Sequence, residues 1–540
     1  MLGTAVLGVA ACFAPRMTFA QAPAPRRLPL SEFAQNPKLV DALRRGFQVM
    51  RERPGSDPTS WFWQCAIHAY SDEIFADAVK RDPKVAKVDS ARFWKQCPHF
   101  GQSSANFLVW HRAYLYHFET ILREAAGEPE LAIPYWNYDE EGQRGFPAPF
   151  APQFLDPAKK VANPLYHPNR ELAFVRGLFT LSEPVCAATR AREAPQYFSE
   201  PGVIGFGGDV LEDGSTKPGA LEQRPHNDLH VAVGGAIGSS SGAMADVPTA
   251  AFDPIFWVHH ANIDRLWRQW AALPGKSWGP LPDAAWFDEA PWIFTGPDGS
   301  EQKKPRHFYL DPDNLGIVYA DSSTQGGLKP PAAAAAFAER EAARAAPSQS
   351  RALFRSGGVS VKADSPATSL ASASPPRAAA ARVPARRANR NVDADPRDAA
   401  GRGRAPAGTA SPPPPPPVVA AGARTLTVRL SGISWARLPA SGFAVYLAPR
   451  GAPLDESSPY FLGTLNLFGT AVPARGRAAM HQTAHMGYQD FDATRLLGRL
   501  EAESLEVQIL PYTLFAPGPG RTAPRADGVR IAEVSLLIGE

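Results

Sequence analysis

Four histidines near the middle of the chain have a spacing that suits a metal site. His226 and His230 are four residues apart, so on a helix both side chains would project from one face. The adjacent pair His259 and His260 follows a helix-start signal at Asp253, and apolar residues recur around the pair at helical spacing. We therefore expect a buried helix here. Three imidazoles that converge from two helices would make an open site for a transition metal.

A second group of histidines lies earlier in the chain. His68 ends an aromatic segment, and His99 and His111 lie on either side of the start of a long apolar stretch. A single buried histidine is more often a packed core residue than a ligand, so spacing alone does not make these three a metal site. The sequence around these histidines must decide between core packing and metal binding.

The segments around these histidines resemble the copper-binding signatures of the tyrosinase, catechol oxidase and molluscan haemocyanin family, in its bacterial type with a C-terminal extension. The similar stretches are residues 107–115, 226–230 and 253–267, in the order that the family has them. The resemblance implies a coupled centre of two copper ions with three histidines each: His68, His99 and His111 for one, and His226, His230 and His260 for the other. In the adjacent pair the family pattern makes the second histidine the ligand, which leaves His259 to packing or hydrogen bonding around the site.

The region of His99 departs from the family pattern. His99 lies twelve residues before His111, which is longer than the usual family spacing, and an insertion between Phe100 and Ala105 would accommodate the difference. Cys97 precedes His99 by two residues, and the resemblance to fungal members implies a thioether between its sulfur and the His99 ring. A disulfide between Cys65 and Cys97, or two free buried thiols, are the alternatives.

Three further residues match family positions that act on the substrate. Glu222 and Asn227 correspond to the pair that holds a water for deprotonating the phenol, which is general-base catalysis through one water. Alternatively, Glu222 is a surface residue before a helix and Asn227 an ordinary first-turn residue. Val247 corresponds to the gate above the first copper, and its small side chain predicts room for substituted phenols.

The resemblance implies a copper-dependent oxidoreductase that uses dioxygen to convert o-diphenols to o-quinones and that also hydroxylates monophenols. An o-aminophenol oxidase would need the same centre. A haemocyanin-like oxygen carrier would use the same histidines without turning over phenols, and a structural zinc or mononuclear metal protein would need only one set of three ligands. The expected partners are small phenols and dioxygen.

Composition divides the chain into parts. Residues 28–325 predict a mainly α catalytic domain, with a four-helix-bundle dicopper core implied by the family. Residues 329–424 are rich in Ala, Pro and Arg, which predicts a disordered linker that a processing protease could cut. Residues 425–540 show alternating apolar positions, which favours a C-terminal β-sandwich. By resemblance this domain covers the active site, with Phe461 as the plug; alternatively, Phe461 belongs to the core of the sandwich.

The first twenty residues have an apolar centre followed by small residues, which resembles an export signal and predicts a periplasmic or secreted protein. A poorly ordered apolar tail is the alternative, since the usual basic start is absent. A net charge of +3 over 540 residues gives no electrostatic case for nucleic acid as a partner. No apolar run reaches the roughly 18 residues that span a bilayer.

Overall fold

The computed structural model describes residues 25–99, 104–209, 217–237, 240–282, 284–321, 328–329, 350–356, 359–361, 368–373, 425–435, 437–469, 487–500, 505–518 and 528–539. The predicted export signal at residues 1–20 lies outside the described residues.

The N-terminal half is mainly helical. Its helices, with one more in the C-terminal region, are α1 (Leu30–Phe33), α2 (Pro37–Glu52), α3 (Trp61–His68), α4 (Asp72–Arg81), α5 (Ser90–Phe93), α6 (Asn106–Ala126), α7 (Leu172–Val175), α8 (Glu183–Cys186), α9 (Thr189–Glu193), α10 (Asp228–Gly234), α11 (Val247–Ala250), α12 (Ile255–Ala271), α13 (Ala284–Asp288), α14 (Arg306–Leu310) and α15 (Leu497–Leu500).

Helices α6 and α12 form the centre of this half, because both are apolar on nearly every side and are buried along most of their length. The Phe118 ring of α6 stacks on the Trp257 ring of α12, with ring centroids 3.4 Å apart. The α6 helix ends at Gly127, whose φ of 58° closes the last turn in the left-handed region. These two helices therefore form the rigid frame on which side chains of a central site can be held.

A buried ion-pair network joins the same two helices to the N-terminus of the described chain. Asp264 of α12 accepts a hydrogen bond from Arg112 Nε of α6 at 2.5 Å and one from Arg27 Nη1 at 3.3 Å. The Tyr319 hydroxyl donates to the same carboxylate at 2.7 Å. Because each charge is paired and hydrogen-bonded, the network can lie inside the core.

The strands are concentrated in the C-terminal part. They are β1 (Arg26–Arg27), β2 (Phe154–Asp156), β3 (Val161–Ala162), β4 (Phe179–Leu181), β5 (Ala236–Ile237), β6 (Ser240–Ser241), β7 (Phe294–Thr295), β8 (Glu301–Gln302), β9 (Val318–Tyr319), β10 (Ser350–Ser356), β11 (Val359–Val361), β12 (Thr368–Ala373), β13 (Thr425–Ser431), β14 (Ser441–Pro449), β15 (Phe461–Thr464), β16 (Tyr488–Asp492), β17 (Leu505–Thr513), β18 (Phe515–Pro517), β19 (Val529–Ile531) and β20 (Glu533–Gly539).

Two four-stranded antiparallel sheets dominate this region, with strand orders β10-β20-β13-β16 and β12-β17-β14-β15. In β13 the apolar residues Leu426, Val428 and Leu430 are buried and their neighbours are half-buried, as the alternating pattern predicted. A mainly helical part followed by C-terminal β-sheets is thus confirmed.

The prediction of a disordered linker over residues 329–424 is wrong for three segments. Strands β10, β11 and β12 fall inside that range and pair with β20, β19 and β17 of the C-terminal region. Strands β10 and β12 lie at sheet edges, where backbone hydrogen bonds to one neighbour are enough to order a strand of low apolar content. Residues 330–349, 357–358, 362–367 and 374–424 of the predicted linker lie outside the described residues.

The C-terminal sheets are attached to the helical half through backbone pairing as well as side chains. Strand β18 pairs antiparallel with β4, and the backbone N–H of Ser182 donates to Leu514 O at 3.0 Å. Among the described helices, none combines the length and the apolar character that crossing a membrane requires.

Candidate metal centre

One histidine cluster is built from two adjoining helical elements and the later helix α12. A wide helical turn (Glu222–Asn227) carries His226 and runs directly into α10, which carries His230, while α12 supplies His259 and His260. The ligand atoms of these four buried residues all lie within 4.8 Å of one another. The Nε2 atoms of His230 and His260 are 3.4 Å apart. Helical spacing thus brings together the three predicted ligands, His226, His230 and His260, with His259 beside them.

Backbone and side-chain partners orient two of these rings. His230 Nδ1 lies 2.7 Å from Met244 O, and His226 Nδ1 lies 2.9 Å from Asn227 Oδ1. The Nε2 atom of His226 is buried and has no hydrogen-bond partner among the described residues. A metal-binding imidazole usually has one ring nitrogen hydrogen-bonded to a neighbouring protein group and leaves the other nitrogen for the metal.

His259 has a partner outside the cluster. Its Nδ1 lies 3.2 Å from the Tyr138 hydroxyl, while its buried Nε2 has no partner in the described part of the chain. A hydrogen-bonding role is what the sequence predicted. The structure adds that His259 is also close enough to the cluster to be considered beside His260, so the choice between the two stays a prediction.

The other cluster combines two helices and a loop. His68 is the last residue of α3, His111 lies in the second turn of α6, and Cys97 comes from the intervening loop; their ligand atoms lie within 4.8 Å of one another. His111 Nδ1 is 2.8 Å from Phe107 O, which fixes the ring. Cys97 Sγ is 4.0 Å from His111 Nε2. Sequence reasoning placed Cys97 beside His99 and did not foresee its closeness to His111.

His99 stands slightly apart from that close group. Its ring centroid is 6.3 Å from that of His111 and 5.8 Å from that of His226. Its Nε2 is buried without a partner among the described residues, and its Nδ1 lies 3.4 Å from Glu222 Oε1. His99 is therefore between the two clusters with one nitrogen available, and residues 100–103, where the predicted insertion falls, lie outside the described residues.

Three cysteines are described, and all are free and buried. Cys65 donates its thiol hydrogen to Ala251 O at 3.1 Å, so the alternative of a disulfide to Cys97 is wrong. The thioether between Cys97 and His99 stays a prediction, and peptide mapping for a cross-link that thiol reductants do not cleave is its test.

The two clusters meet through stacked rings. His111 of the first and His260 of the second are nearly parallel, with centroids 4.2 Å apart and planes inclined by 11°. Burial lowers the pKa of His230 to about 3 and that of His99 to about 4. Burial, followed by the neighbouring imidazoles, holds the pKa of His226 and His260 well below the usual value. All are therefore neutral at physiological pH, which is the form that binds a metal.

The donor set suits copper. Imidazoles are common ligands for copper, zinc and iron, and the described ligand atoms of the two clusters include no carboxylate. Unpartnered Nε2 atoms on His99 and His226 are the buried polar atoms that a bound cation would satisfy. Two adjoining clusters indicate a pair of metal ions.

Glu222 and Asn227 lie inside the protein beside the candidate ligands. Glu222 is 7% exposed, its Oε2 has no hydrogen-bond partner among the described residues, and burial raises its pKa to about 8. Asn227 uses Oδ1 for His226 and leaves its buried Nδ2 without a partner in the described part of the chain. The surface position suggested as the alternative for Glu222 is therefore wrong, while the water-holding role of the pair stays a prediction.

Val247, the predicted gate, is buried at the start of α11. A loop of the C-terminal region lies directly against it, because a Cβ atom built on Gly469 would be 2.7 Å from Val247 Cγ2. Gly469 has a φ of 70° and donates its N–H to Ala245 O at 3.2 Å. Only glycine allows this approach.

The prediction that Phe461 enters the site is wrong, and Phe468 lies there instead. The Phe468 ring stacks on His230 with centroids 4.0 Å apart and meets His99 and His226 edge-on at 5.4 and 5.6 Å. Phe461 begins β15 and packs on Tyr446, with the Arg190 guanidinium over its ring, because strand pairing with β14 turns it away from the histidines. The nearest sequence signal was the glycine after Phe468, which marks a tight approach.

Comparisons with known proteins agree with this geometry. Residues 58–273 match the family described as the common central domain of tyrosinase. The chain is 35% identical over 259 residues to a tyrosinase of Hahella sp. (strain CCB-MM4), a match that covers 45% of this chain and 53% of that protein. It is 26% identical over 325 residues to a chloroplastic polyphenol oxidase of Spinacia oleracea, covering 55% and 47%. The matches thus span about half the length of these relatives.

The fold is similar to that of latent apple tyrosinase, with a TM-score of 0.53 and 20% identity over 96% of this chain and 98% of that one. At this identity the likeness concerns the fold alone. Residues 58–273, which carry all the predicted copper ligands, are thus the part of the chain that matches the common central domain of tyrosinase.

Proposed function

We propose that the protein is a copper-dependent polyphenol oxidase that oxidises o-diphenols to o-quinones with dioxygen and also hydroxylates monophenols. The observation that carries the proposal is the contact between the two histidine clusters, which brings His111 and His260 into parallel stacking. Two metal ions held by these clusters would be neighbours. One dioxygen molecule can take four electrons and four protons from two o-diphenols, giving two quinones and two waters.

The tyrosinase family uses a dicopper centre, and the donors present here fit it. We propose His68, His99 and His111 for one copper and His226, His230 and His260 for the other. When bound, the copper pair would supply the redox chemistry with dioxygen. We also propose that the ligand-bearing helices α3, α6, α10 and α12 form the predicted four-helix bundle; the stacking of Phe118 on Trp257 joins two of them.

The chain's own residues would position the substrate and receive its proton. A flat phenol ring fits best against the face of His230, because the Phe468 ring already stacks there. Val247 lies against Gly469, the residue after Phe468, and its small side chain would leave room for ring substituents. The Glu222 carboxylate and the free Asn227 Nδ2 would hold a water that accepts the phenolic proton.

We propose further that the C-terminal region keeps the enzyme inactive. Phe468 is 2% exposed and occupies the face of His230 that a substrate ring would need. Within its loop, Asn466 Oδ1 accepts a hydrogen bond from the Phe468 N–H at 2.9 Å. The Gln489 side chain accepts from the Asn466 backbone N–H and donates to the Asn466 carbonyl. Export of the protein and cutting by a processing protease belong to the same proposal.

Oxygen uptake tests the proposed chemistry. The copper-loaded protein is assayed with a monophenol, an o-diphenol and an o-aminophenol, before and after limited proteolysis within residues 374–424 followed by separation of the C-terminal fragment. We expect the o-diphenol to be oxidised fastest, the monophenol to react after a delay, and both rates to rise after separation. Preference for the o-aminophenol would replace the proposed substrate, and no uptake with any of them would exclude oxidase function.

The same assay tests the covering role of the C-terminal region. Unchanged o-diphenol oxidation after the fragment has been removed would mean that Phe468 does not limit access to the histidines.

A further inference from the structure

A cavity lined by none of the clustered histidines lies where the helical half meets the C-terminal sheets. It encloses about 220 Å³, far more than the roughly 10–15 Å³ that one water needs. Its polar lining comes from both sides: Arg190 and Arg224 belong to the helical half, and Glu456 and Arg495 to the C-terminal region. The cavity thus brings three guanidinium groups together at one interface.

Two of these guanidinium groups lack a carboxylate partner. Arg190 donates to the backbone carbonyl of Glu456, and Arg495 donates to the backbone carbonyls of Phe461 and Pro459. Neither forms an ion pair within 4.0 Å with any carboxylate of the described residues. Burial, and then the charge of Arg495, lowers the pKa of Arg190 to about 10. Half-buried like charges that line one cavity favour an anion between them.

The third guanidinium group is paired with carboxylates. Arg224 is 7% exposed; its Nε donates to Asp228 at 3.1 Å, its Nη1 to Glu456, and its plane lies over the Tyr512 ring at 4.1 Å. Its Nη2 is buried and has no hydrogen-bond partner among the described residues. The atom is closed to solvent, so Arg224 contributes positive charge to the cavity wall, while Arg190 and Arg495 supply the donors to a ligand.

We propose that this cavity binds one small multivalent oxyanion of the phosphate or sulfate type, which the donors of Arg190 and Arg495 hold beside the charged Arg224. Guanidinium groups present paired N–H donors that match the oxygens of such anions. Glu456 and the exposed Glu193 also line the cavity, and Asp228 pairs with Arg224, so the donors of Arg190 and Arg495 hold the anion, and not an excess of positive charge.

An anion in this position would join the two parts of the molecule. Arg190 and Arg224 lie on the helical half and Arg495 lies next to α15 of the C-terminal region, so a ligand shared by Arg190 and Arg495 is bound only while the parts are in contact. An anion that binds only while the parts are in contact stabilises that arrangement, and the stabilisation grows with the logarithm of its concentration above the Kd. The inference needs neither copper nor phenol oxidation, so it can fail or succeed independently of the proposed function.

Calorimetric titration of the full-length protein with inorganic phosphate tests the site. We expect saturable binding of one phosphate per chain, competition by sulfate, and no equivalent signal from chloride at the same ionic strength. Arg190→Gln and Arg495→Gln should each weaken phosphate binding at least tenfold, since each removes one of the two unpaired guanidinium groups.

Arg499→Gln is the matched control, because Arg499 is four residues from Arg495, is exposed, and bonds the Tyr460 hydroxyl instead of lining the cavity. Its phosphate affinity should stay within twofold of that of the wild type. Equal weakening of phosphate binding in all three variants would mean that only the overall positive charge of the protein matters, and it would overturn the proposed site. Should the cavity variants fail to fold, the wild-type titration decides: the absence of saturable, sulfate-competed phosphate binding overturns the proposal.

Discussion

The two histidine clusters are built in different ways. His226, His230 and His260 come from helical elements. The rings of His226 and His230 are oriented by contacts at Nδ1. In the other cluster His68 and His111 come from helices, but His99 comes from a loop, and Cys97 lies closer to His111 than sequence reasoning expected. Helical spacing determines where a ligand points, whereas a loop ligand depends on contacts that sequence spacing does not reveal.

Removal of a ligand from the helical cluster should have the largest effect. We expect His260→Ala to lose one copper and all measurable o-diphenol oxidation, because a three-imidazole site loses a bond to the metal. The matched variant His259→Ala should keep both coppers. Its copper affinity or activity should fall by roughly 10–100-fold, as is typical when a residue around the ligands is replaced. Copper content and oxygen uptake are measured for both. Copper loss in His259→Ala but not in His260→Ala would reverse the assignment.

Loss of the buried ion pair between α6 and α12, the helices that carry ligands of both clusters, should have the next largest effect. Asp264 links α12 to α6 through Arg112, so Asp264→Asn should lower the free energy of unfolding by about 3–5 kcal/mol, the usual cost of breaking a buried ion pair. Denaturant unfolding measures this. Asp77→Asn, which removes a partner of exposed Arg81, is the control and should cost less than about 1 kcal/mol.

The pH dependence of the same variant has a defined sign. Burial alone would raise the pKa of Asp264, but Arg112 and then Arg27 hold it below its usual 3.8. The contribution of the carboxylate is therefore complete above the unfolded-state pKa and is lost only as pH falls through the lower folded-state value. The difference between wild type and Asp264→Asn should be constant from about pH 5 to pH 8. A difference that already changes within that interval would contradict the network.

Removal of the Phe468 ring should have a smaller effect, and it should raise activity instead of lowering it. Burial of a phenyl ring contributes about 1.5–3 kcal/mol, so Phe468→Ala should raise the o-diphenol rate of the uncut protein about tenfold or more. Phe461→Ala removes the same side chain from β15, away from the histidines, and should leave that rate nearly unchanged. Activation by the second substitution and not by the first would place the plug where the sequence first suggested.

The smallest effect is expected at the proposed proton acceptor. Asn227→Ala should reduce monophenol hydroxylation about fivefold more than o-diphenol oxidation, which corresponds to one hydrogen bond of about 1 kcal/mol. Initial rates of oxygen uptake on both substrates measure the ratio. Since Asn227 also contacts His226, equal losses on both substrates would show that it only orients that ligand.

The parts of the molecule that sequence predicted well are those where local periodicity determines geometry. The closeness of the His226 and His230 rings, the buried α12 helix and the alternating residues of β13 all agree with the spacing. Copper as the metal followed from family resemblance.

The remaining features depend on contacts between distant segments. Strands β10, β11 and β12 were missed because edge pairing needs little apolar sequence. Phe468 was missed in favour of Phe461 because both are aromatic residues in the same stretch, and only the docking of Gly469 against Val247 distinguishes them. The arginine-lined cavity likewise joins residues that are up to about 300 positions apart in sequence.

Copper stoichiometry of the purified full-length protein tests the central claim most directly. After reconstitution and removal of loosely bound metal, elemental analysis should give two coppers per chain, and His68→Ala and His230→Ala should each retain one, since the clusters are separate sets of ligands. A wild-type chain that binds a single copper or none would contradict the account of two adjoining metal sites.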